Sequence, residues 1–174
     1  MINKKIEAVT VDVLKEFNLM KAPVNVESLA EALSISIEHQ DLDDSVSGFL
    51  VKKDGRNIIG LNQRHPEVRK RFTISHEIGH FKLHVDTPLF VDFYKGSMLY
   101  RTNHKRQDYK MEKEANTFAA ALLMPQSLIS NEISKMSDDM DYDSKLLLLS
   151  QKFEVSQQAM DFRLKTLGHY DYGF

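Results

Sequence analysis

The chain has 174 residues, of which 42% are hydrophobic and 28% charged, an ordinary composition for one globular domain or one domain with a small appendage. It contains no cysteine, which excludes a disulfide scaffold, an iron–sulfur cluster, a thiolate zinc site and a cysteine nucleophile. The 23 Lys and Arg against 25 Asp and Glu give a net charge of −2, so no strong overall field attracts nucleic acid. A metal site would therefore have to use imidazole and carboxylate ligands.

The sequence predicts seven helices and three strands from hydrophobic periodicity. In chain order these are a helix over 4–19, a helix over 26–33, a strand over 34–40, two hairpin strands over 46–52 and 57–62, and helices over 66–84, 110–124, 126–136, 143–153 and 156–167.

Cap and turn residues set several of these bounds. Asn25 can cap the second helix, and Pro66 opens the long helix at a position where proline is tolerated. The pair Asp54-Gly55 between two apolar runs is a strong hairpin signal. Gly168 is expected to end the last helix.

The chain is expected to divide into an N-terminal helix (1–22), a central domain (23–136) that contains the motif described below, and a C-terminal helical extension packed on it (137–174). Residues 85–109 lack clear periodicity and are interpreted as a long functional loop. The acidic stretch 138–143 is interpreted as a solvated linker that leads into a helix.

The N-terminus lacks the uninterrupted apolar core of a signal peptide. The longest apolar runs, at 118–124 and 146–149, are far too short to span a membrane. We therefore expect a cytoplasmic protein without a membrane partner.

The segment His76-Glu77-Ile78-Gly79-His80 is the decisive motif. Two histidines four residues apart on a helix share one face and can bind one metal ion. Glu77 lies beside them, where it could accept a proton from water. The pattern is fairly specific, because two histidines and a glutamate rarely take this spacing by chance. It also falls inside a predicted helix, as this chemistry requires.

The third ligand has to come from another part of the chain. By His84, eight residues after His76, helical drift is about 80°, so three histidines in one row do not reach one tetrahedral ion. His84 is therefore interpreted as a helix-end or packing residue. Glu112 and Asn116 share a face of the next long helix, so Glu112 could bind the metal while Asn116 orients a histidine. Glu114, about 200° around that helix from Glu112, is the alternative to the favoured Glu112.

Small residues favour a close approach of these two helices. Gly79 lies on the first helix, and the second carries Ala115, Ala119, Ala120 and Ala121. Close contact would let short carboxylate and imidazole side chains meet at one ion.

Three segments, covering most of the chain between about 22 and 168, resemble the ImmA/IrrE family of metallopeptidases. They are RFTISHEIGHFKLH at 71–84, EKEANTFAAALLMP at 112–125 and FEVSQQAMDFRL at 153–164. The resemblance implies an α+β fold, a mainly helical zincin-like domain with a small antiparallel sheet beside the active-site helix. It also implies a gluzincin-like site with His76, His80 and Glu112 as ligands and Glu77 as base.

Members of this family typically cleave a helix-turn-helix transcriptional repressor of a phage, a mobile element or a stress regulon. The expected partner is therefore such a repressor, and the expected cofactor is one Zn²⁺, although the same ligands accept Mn²⁺ or Co²⁺. The chain has no room for an added DNA-binding or sensing domain, which suggests a stand-alone protease.

The expected reaction is hydrolysis of a peptide bond, with Glu77 accepting a proton from water and passing it to the leaving amine. A further donor should stabilise the oxyanion, and an edge of the hairpin over 46–62 could hold an extended substrate. The candidate donors are Tyr94, Tyr100, His104 and Tyr109.

Two other hypotheses remain at this point. The chain could be a non-catalytic regulator that contains a metal and inactivates a repressor by binding it, although Glu77 would then have no task. Binding to nucleic acid is disfavoured, because helix-turn-helix spacing is not evident and charge runs are usually solvated. The basic residues in question are Arg64, His65, Arg69, Lys70 and Arg71, with Lys95, Arg101, Lys105 and Arg106 in the loop.

Overall fold

The computed structural model describes residues 2–87, 89–93 and 105–169. Over these residues the chain forms seven helices and four strands, which confirms the predicted α+β class. The elements are α1 Lys4–Glu16, α2 Val26–Ala32, β1 Ile35–Gln40, β2 Val46–Lys53, β3 Arg56–Asn62, α3 Glu67–Leu83, β4 Leu89–Phe93, α4 Lys105–Leu123, α5 Gln126–Ile133, α6 Tyr142–Phe153 and α7 Gln157–Leu167.

Backbone contacts divide the chain into two compact units. The sheet unit comprises residues 25–119, and the helical unit combines residues 1–24 with 120–174. The sheet unit contains α2, α3, the four strands and most of α4, whereas the helical unit contains the end of α4 and the other helices. The predicted division at residues 22 and 136 stays a prediction.

The sheet is mixed, whereas an antiparallel sheet was expected. Its strand order is β1-β3-β2-β4, with β1 parallel to β3 and the other pairs antiparallel. The predicted hairpin forms, and both Asp54 and Gly55 have positive φ, as a tight turn between twisted strands requires. β3 lies between β1 and β2. Since β1 and β3 run in the same direction, this pair is parallel and the sheet is not purely antiparallel.

Two predictions about the segment 85–109 are wrong. Leu89–Phe93 forms β4, which pairs with β2, and α4 begins at Lys105 instead of residue 110. A five-residue segment carries too little periodicity to separate a strand from a loop, so only its pairing with a distant strand defines it.

The hairpin lies inside the sheet. Both β2 and β3 have a neighbour on each side, so among the described strands the edges are β1 and β4. The expectation that a substrate could add to an edge of the hairpin is therefore wrong.

The helical unit has locally capped helices around an apolar core. Asn3, Asp141 and Ser156 accept hydrogen bonds from backbone N–H groups at the starts of α1, α6 and α7, and Gly168 ends α7 in the left-handed conformation. Two helices end three residues earlier than predicted. α1 ends at Glu16, because Asn18 takes a positive φ, and α5 ends at Ile133.

The core of the helical unit includes the fully buried side chains of Leu14, Phe153 and Met160. None of the helices, as far as the chain is described, combines the length and the apolar character needed to cross a membrane.

Candidate metal centre

The helix α3 carries the predicted motif on a buried face. His76 and His80 lie one turn apart, with exposed fractions of 2% and 1%. Glu77, next to His76 in the sequence, is completely buried. Pro66 precedes the first turn, where a missing N–H group costs no helical hydrogen bond. The helix is therefore continuous through the motif, and β2 and β3 cover one side of it.

The helix α4 approaches α3 closely at Gly79. A Cβ atom on Gly79 would lie 3.2 Å from the Cα atom and the carbonyl oxygen of Ala115 and 3.2 Å from the Cβ atom of Phe118. Such distances are shorter than ordinary contacts of a Cβ atom, so glycine permits this approach. As expected from the small residues, Glu112, one turn before Ala115, is brought to the two histidines.

Three ligand atoms converge between α3 and α4. The Nε2 atoms of His76 and His80 are 3.0 Å apart, and each lies 3.3 Å from an oxygen of Glu112. All three residues offer ligand atoms within 4.8 Å of one another. A tetrahedral zinc ion with bonds of about 2.0–2.1 Å separates its ligand atoms by roughly 3.3 Å. The spacing and the donor types therefore fit a metal ion.

The protonation of these groups also suits metal binding. Burial lowers the pKa of His80 to about 4 despite the neighbouring Glu112 carboxylate, so its imidazole is neutral at pH 7. Burial by itself would raise the pKa of Glu112, but hydrogen bonds from His76 and His80 outweigh it and lower the pKa to about 2. The group thus contains a neutral imidazole and an ionised carboxylate at neutral pH, the forms that bind metal ions.

The group is accessible from one side. The side chain of Glu112 is 44% exposed, whereas the histidine side chains are almost fully buried. Catalytic zinc sites keep one position for water or substrate, whereas structural sites are closed by four protein ligands. Three converging protein ligands with one solvent-exposed member match the catalytic type.

Asn116 lies where the sequence places it, one turn after Glu112. Its Oδ1 atom is 3.1 Å from Nδ1 of His76. An Nδ1–H group that donates to this oxygen would leave the lone pair of Nε2 facing Glu112 and His80. The contact is therefore able to fix the ring of His76 in the orientation that a ligand needs.

His84, interpreted from the sequence as a helix-end or packing residue, has polar contacts of its own. Its Nδ1 atom lies 3.0 Å from Nδ1 of His80, and its Nε2 atom lies 3.1 Å from a carboxylate oxygen of Glu114. Phe90 on β4 stacks on the ring of His80, with centroids 3.9 Å apart. The spacing of four residues between His80 and His84 was the available sequence signal for this contact.

A match to a known protein family identifies the class of protein that contains this site. The family described as the IrrE N-terminal-like domain, a peptidase family, matches residues 30–165. The chain belongs to this family. The resemblance to ImmA/IrrE proteins is thereby confirmed, and at the level of its family the chain is a metallopeptidase.

Two relatives are similar in sequence to part of this member of the IrrE N-terminal-like family. "Uncharacterized immunity region protein 2" of Bacillus phage phi105 is 35% identical over 109 residues, which are 61% of this chain and 62% of that protein. "Radiation response metalloprotease IrrE" of Deinococcus radiodurans is 31% identical over 111 residues, which are 62% of this chain and 30% of that protein. The chain thus spans less than two thirds of the length of each relative.

A solved structure shares the fold of this family member. It is a transcriptional regulator of Mycobacterium tuberculosis, with a TM-score of 0.65 and 15% sequence identity. The similarity covers 94% of this chain and 47% of that chain. At this identity the similarity supports the fold alone.

The predicted oxyanion donors are not brought together by the described part of the structure. Tyr109 lies on α4, one turn before Glu112, and its exposed fraction is 66%. Tyr94, Tyr100 and His104 lie outside the described residues.

The basic cluster near the start of α3 contacts acids and a hydroxyl group within the chain. Arg64 pairs with Asp41 at 2.6 Å, Lys70 pairs with Glu67 at 2.8 Å, and Arg69 donates to the hydroxyl group of Ser47 at 2.8 Å. These contacts partly neutralise the cluster. They therefore favour the interpretation of a solvated protein face over a surface for nucleic acid.

Proposed function

We propose that this chain is a zinc-dependent endopeptidase in which His76, His80 and Glu112 bind the metal and Glu77 is the catalytic base. The observation that carries this proposal is the convergence of three ligand atoms within 4.8 Å, two of them from the helix that also carries the buried Glu77. Membership of a peptidase family supports the same assignment.

When bound, zinc supplies Lewis acidity, which polarises a carbonyl group and makes a water molecule more acidic. Glu77 accepts a proton from the attacking water at a carboxylate oxygen and returns it to the nitrogen of the leaving amine. The buried position of Glu77 keeps competing bulk water away from this proton transfer. Tyr109 is the described candidate for a donor to the oxyanion, because it shares the face of α4 that carries Glu112.

We further propose that an extended segment of the substrate pairs with β4. This strand is an edge of the sheet among the described strands, and its Phe90 stacks directly on the ring of His80. Strand addition there would carry a peptide past the metal group while main-chain hydrogen bonds supply affinity.

The proposed substrate is a helix-turn-helix transcriptional repressor in the cytoplasm. This follows the resemblance to the ImmA/IrrE family, and the similarity to a protein of a phage immunity region is consistent with it. In this proposal the chain acts as an anti-repressor.

The test uses the full chain, zinc and a candidate helix-turn-helix repressor chosen from the neighbouring genes, with cleavage read by intact mass. Glu77→Gln should slow cleavage by about 10²–10⁴-fold while zinc affinity is retained, because the ligands are unchanged. Glu67→Gln makes the same chemical change at an exposed position of α3 and should leave cleavage unaffected.

Cleavage by Glu77→Gln at the rate of the wild type would overturn the mechanism. Release of the repressor from its operator in the presence of a chelator, with the repressor intact and in a stoichiometric complex, would instead support a non-catalytic regulator.

A further inference from the structure

His84 is held at the end of α3 by contacts that fix both its backbone and its ring. Its backbone N–H group donates to the carbonyl of His80, and its own carbonyl accepts from Nζ of Lys52 at 2.7 Å. Its side chain is 6% exposed and has Phe90 beside it, with ring centroids 5.8 Å apart. The ring of His84 is therefore a built part of the structure.

The ring nitrogens of His84 connect His80 to a carboxylate. Nδ1 of His84 faces Nδ1 of His80 at 3.0 Å, and Nε2 of His84 faces Oε2 of Glu114 at 3.1 Å. The carboxylate of Glu114 is 31% exposed and close to Nζ of Lys110, at 3.7 Å. Three side chains thus form one row from the metal group to the partly exposed surface of α4.

Hydrogen-bond accounting gives this row a direction when a metal is bound. An imidazole that binds a metal through Nε2 carries its proton on Nδ1, so His80 has to donate to His84. His84 then accepts at Nδ1 and keeps its own proton on Nε2, from which it donates to Glu114. Each donor in the row meets an acceptor.

We infer that His84 and Glu114 are positioning residues that hold His80 in the tautomer and orientation required of a metal ligand. This inference rests on the proposed metal site. It gives His80 a support that corresponds to the contact between His76 and Asn116, but with a histidine and a carboxylate in place of one amide. The carboxylate at the far end makes the row a stronger electron donor toward the metal than a neutral amide would be.

The first test reads the tautomers of the wild-type chain loaded with zinc. Long-range ¹H–¹⁵N correlation spectra should show the proton of His80 on Nδ1 and the proton of His84 on Nε2. A proton on Nδ1 of His84, or protons on both of its nitrogens, would overturn the inference without affecting the proposed peptidase function.

The second test measures zinc affinity by competition with a chromophoric chelator. His84→Leu removes the acceptor for His80 and should weaken zinc binding by about 10–100-fold, the usual effect of losing a partner of a ligand. Glu114→Ala should weaken binding less, and Glu114→Gln, which keeps an oxygen as acceptor, should restore most of the affinity. His39→Leu, at an exposed histidine on β1, is the matched control and should change nothing.

The outcomes separate the two proposals. If the wild type binds zinc no better than a His76→Ala, His80→Ala double variant, the proposed metal site itself is wrong. If the wild type binds zinc and His84→Leu binds it equally well, the site stands and only the positioning role is wrong. Absorption spectra of the Co²⁺ forms should differ between the wild type and His84→Leu, because a reoriented ligand alters the coordination geometry.

Discussion

A buried polar cluster lies in each unit, and the two clusters are built in different ways. In the helical unit, Arg163 is 3% exposed and donates from Nη1 and Nη2 to both carboxylate oxygens of Glu7, at 2.6 and 2.9 Å, and from Nε to the carbonyl of Met124, at 2.9 Å. We call these residues the arginine cluster. In the sheet unit, the metal group of His76, His80 and Glu112 turns three potential ligand atoms toward one another.

The difference indicates what each cluster is for. In the arginine cluster, a cation meets an anion and every contact pairs a donor with an acceptor, so the cluster is complete within the protein. In the metal group, two imidazole nitrogens and a carboxylate share one small space, an arrangement that a cation stabilises further. The arginine cluster should therefore act mainly on stability, and the metal group should act mainly on metal affinity.

The largest effect is expected from breaking the arginine cluster. Glu7→Ala leaves the buried guanidinium of Arg163 without its carboxylate and should lower the free energy of unfolding by about 3–5 kcal/mol. Denaturation in urea would measure this loss, and the zinc affinity of the folded variant should equal that of the wild type.

The control for this change is Glu16→Ala. Glu16 is exposed on the same helix, so its removal should change the free energy of unfolding by no more than about 0.5 kcal/mol. A folded Glu7→Ala protein with weakened zinc binding would break the separation of stability from metal binding.

The complementary effect is expected from Glu112→Ala. Loss of this ligand should weaken zinc binding by more than the roughly 10–100-fold seen for partners of ligands. The free energy of unfolding of the metal-free protein should fall by about 1 kcal/mol or less, because the carboxylate is 44% exposed. Lys113→Ala, at the next and exposed position, should leave both quantities unchanged. Equal zinc affinity in Glu112→Ala would remove Glu112 from the ligand set.

Local signals explain why much of the fold could be predicted from the sequence. Helix caps and tight turns involve only a few neighbouring residues, so they can be recognised from the local sequence. Examples are the caps Asn25 and Ser156 and the turn at Asp54-Gly55. The grouping of Glu112 with the histidines could also be predicted, because the motif needs a third ligand and the chain has no cysteine to supply it.

Contacts between distant elements explain what the sequence did not reveal. β4 is defined by its pairing with β2, and the place of β3 beside β1 is a property of the whole sheet. On α4, Ala115 faces α3, while Glu112 lies about 60° to one side of it and Glu114 about 100° to the other. Glu112 therefore contacts His76 and His80 on α3, while Glu114 contacts His84 on the same helix. The angle between the two carboxylates on α4 does not by itself predict that both contact α3.

Gly79→Val is expected to lower both the free energy of unfolding and the zinc affinity. The added carbons would meet the backbone of Ala115, which is not free to move as a side-chain tip is. The free energy of unfolding should fall by about 1–3 kcal/mol, the usual cost of overpacking. Separation of α3 from α4 should weaken zinc binding as well.

Thermal denaturation and zinc competition would measure the two effects of Gly79→Val on one preparation. The control is Gly55→Asn, because Gly55 has nothing within 4 Å of a built Cβ atom and asparagine tolerates its positive φ. Unchanged zinc affinity in a destabilised Gly79→Val protein would show that the close approach matters for packing but not for the metal group.

The smallest effect is expected from Phe90→Leu, which removes the aromatic ring stacked on His80 but keeps an apolar side chain in the sheet. Such ring pairs contribute about 0.5–1.5 kcal/mol beyond their buried area, which corresponds to at most about tenfold in zinc affinity. The matched control is Leu89→Ala, at a neighbouring position of β4 with an exposed fraction of 53%. If Phe90→Leu lowers stability without altering zinc affinity, the ring packs against the metal group without holding it in place. If stability and zinc affinity fall together, β4 contributes to both, and the position of His80 depends on the sheet as well as on its own helix.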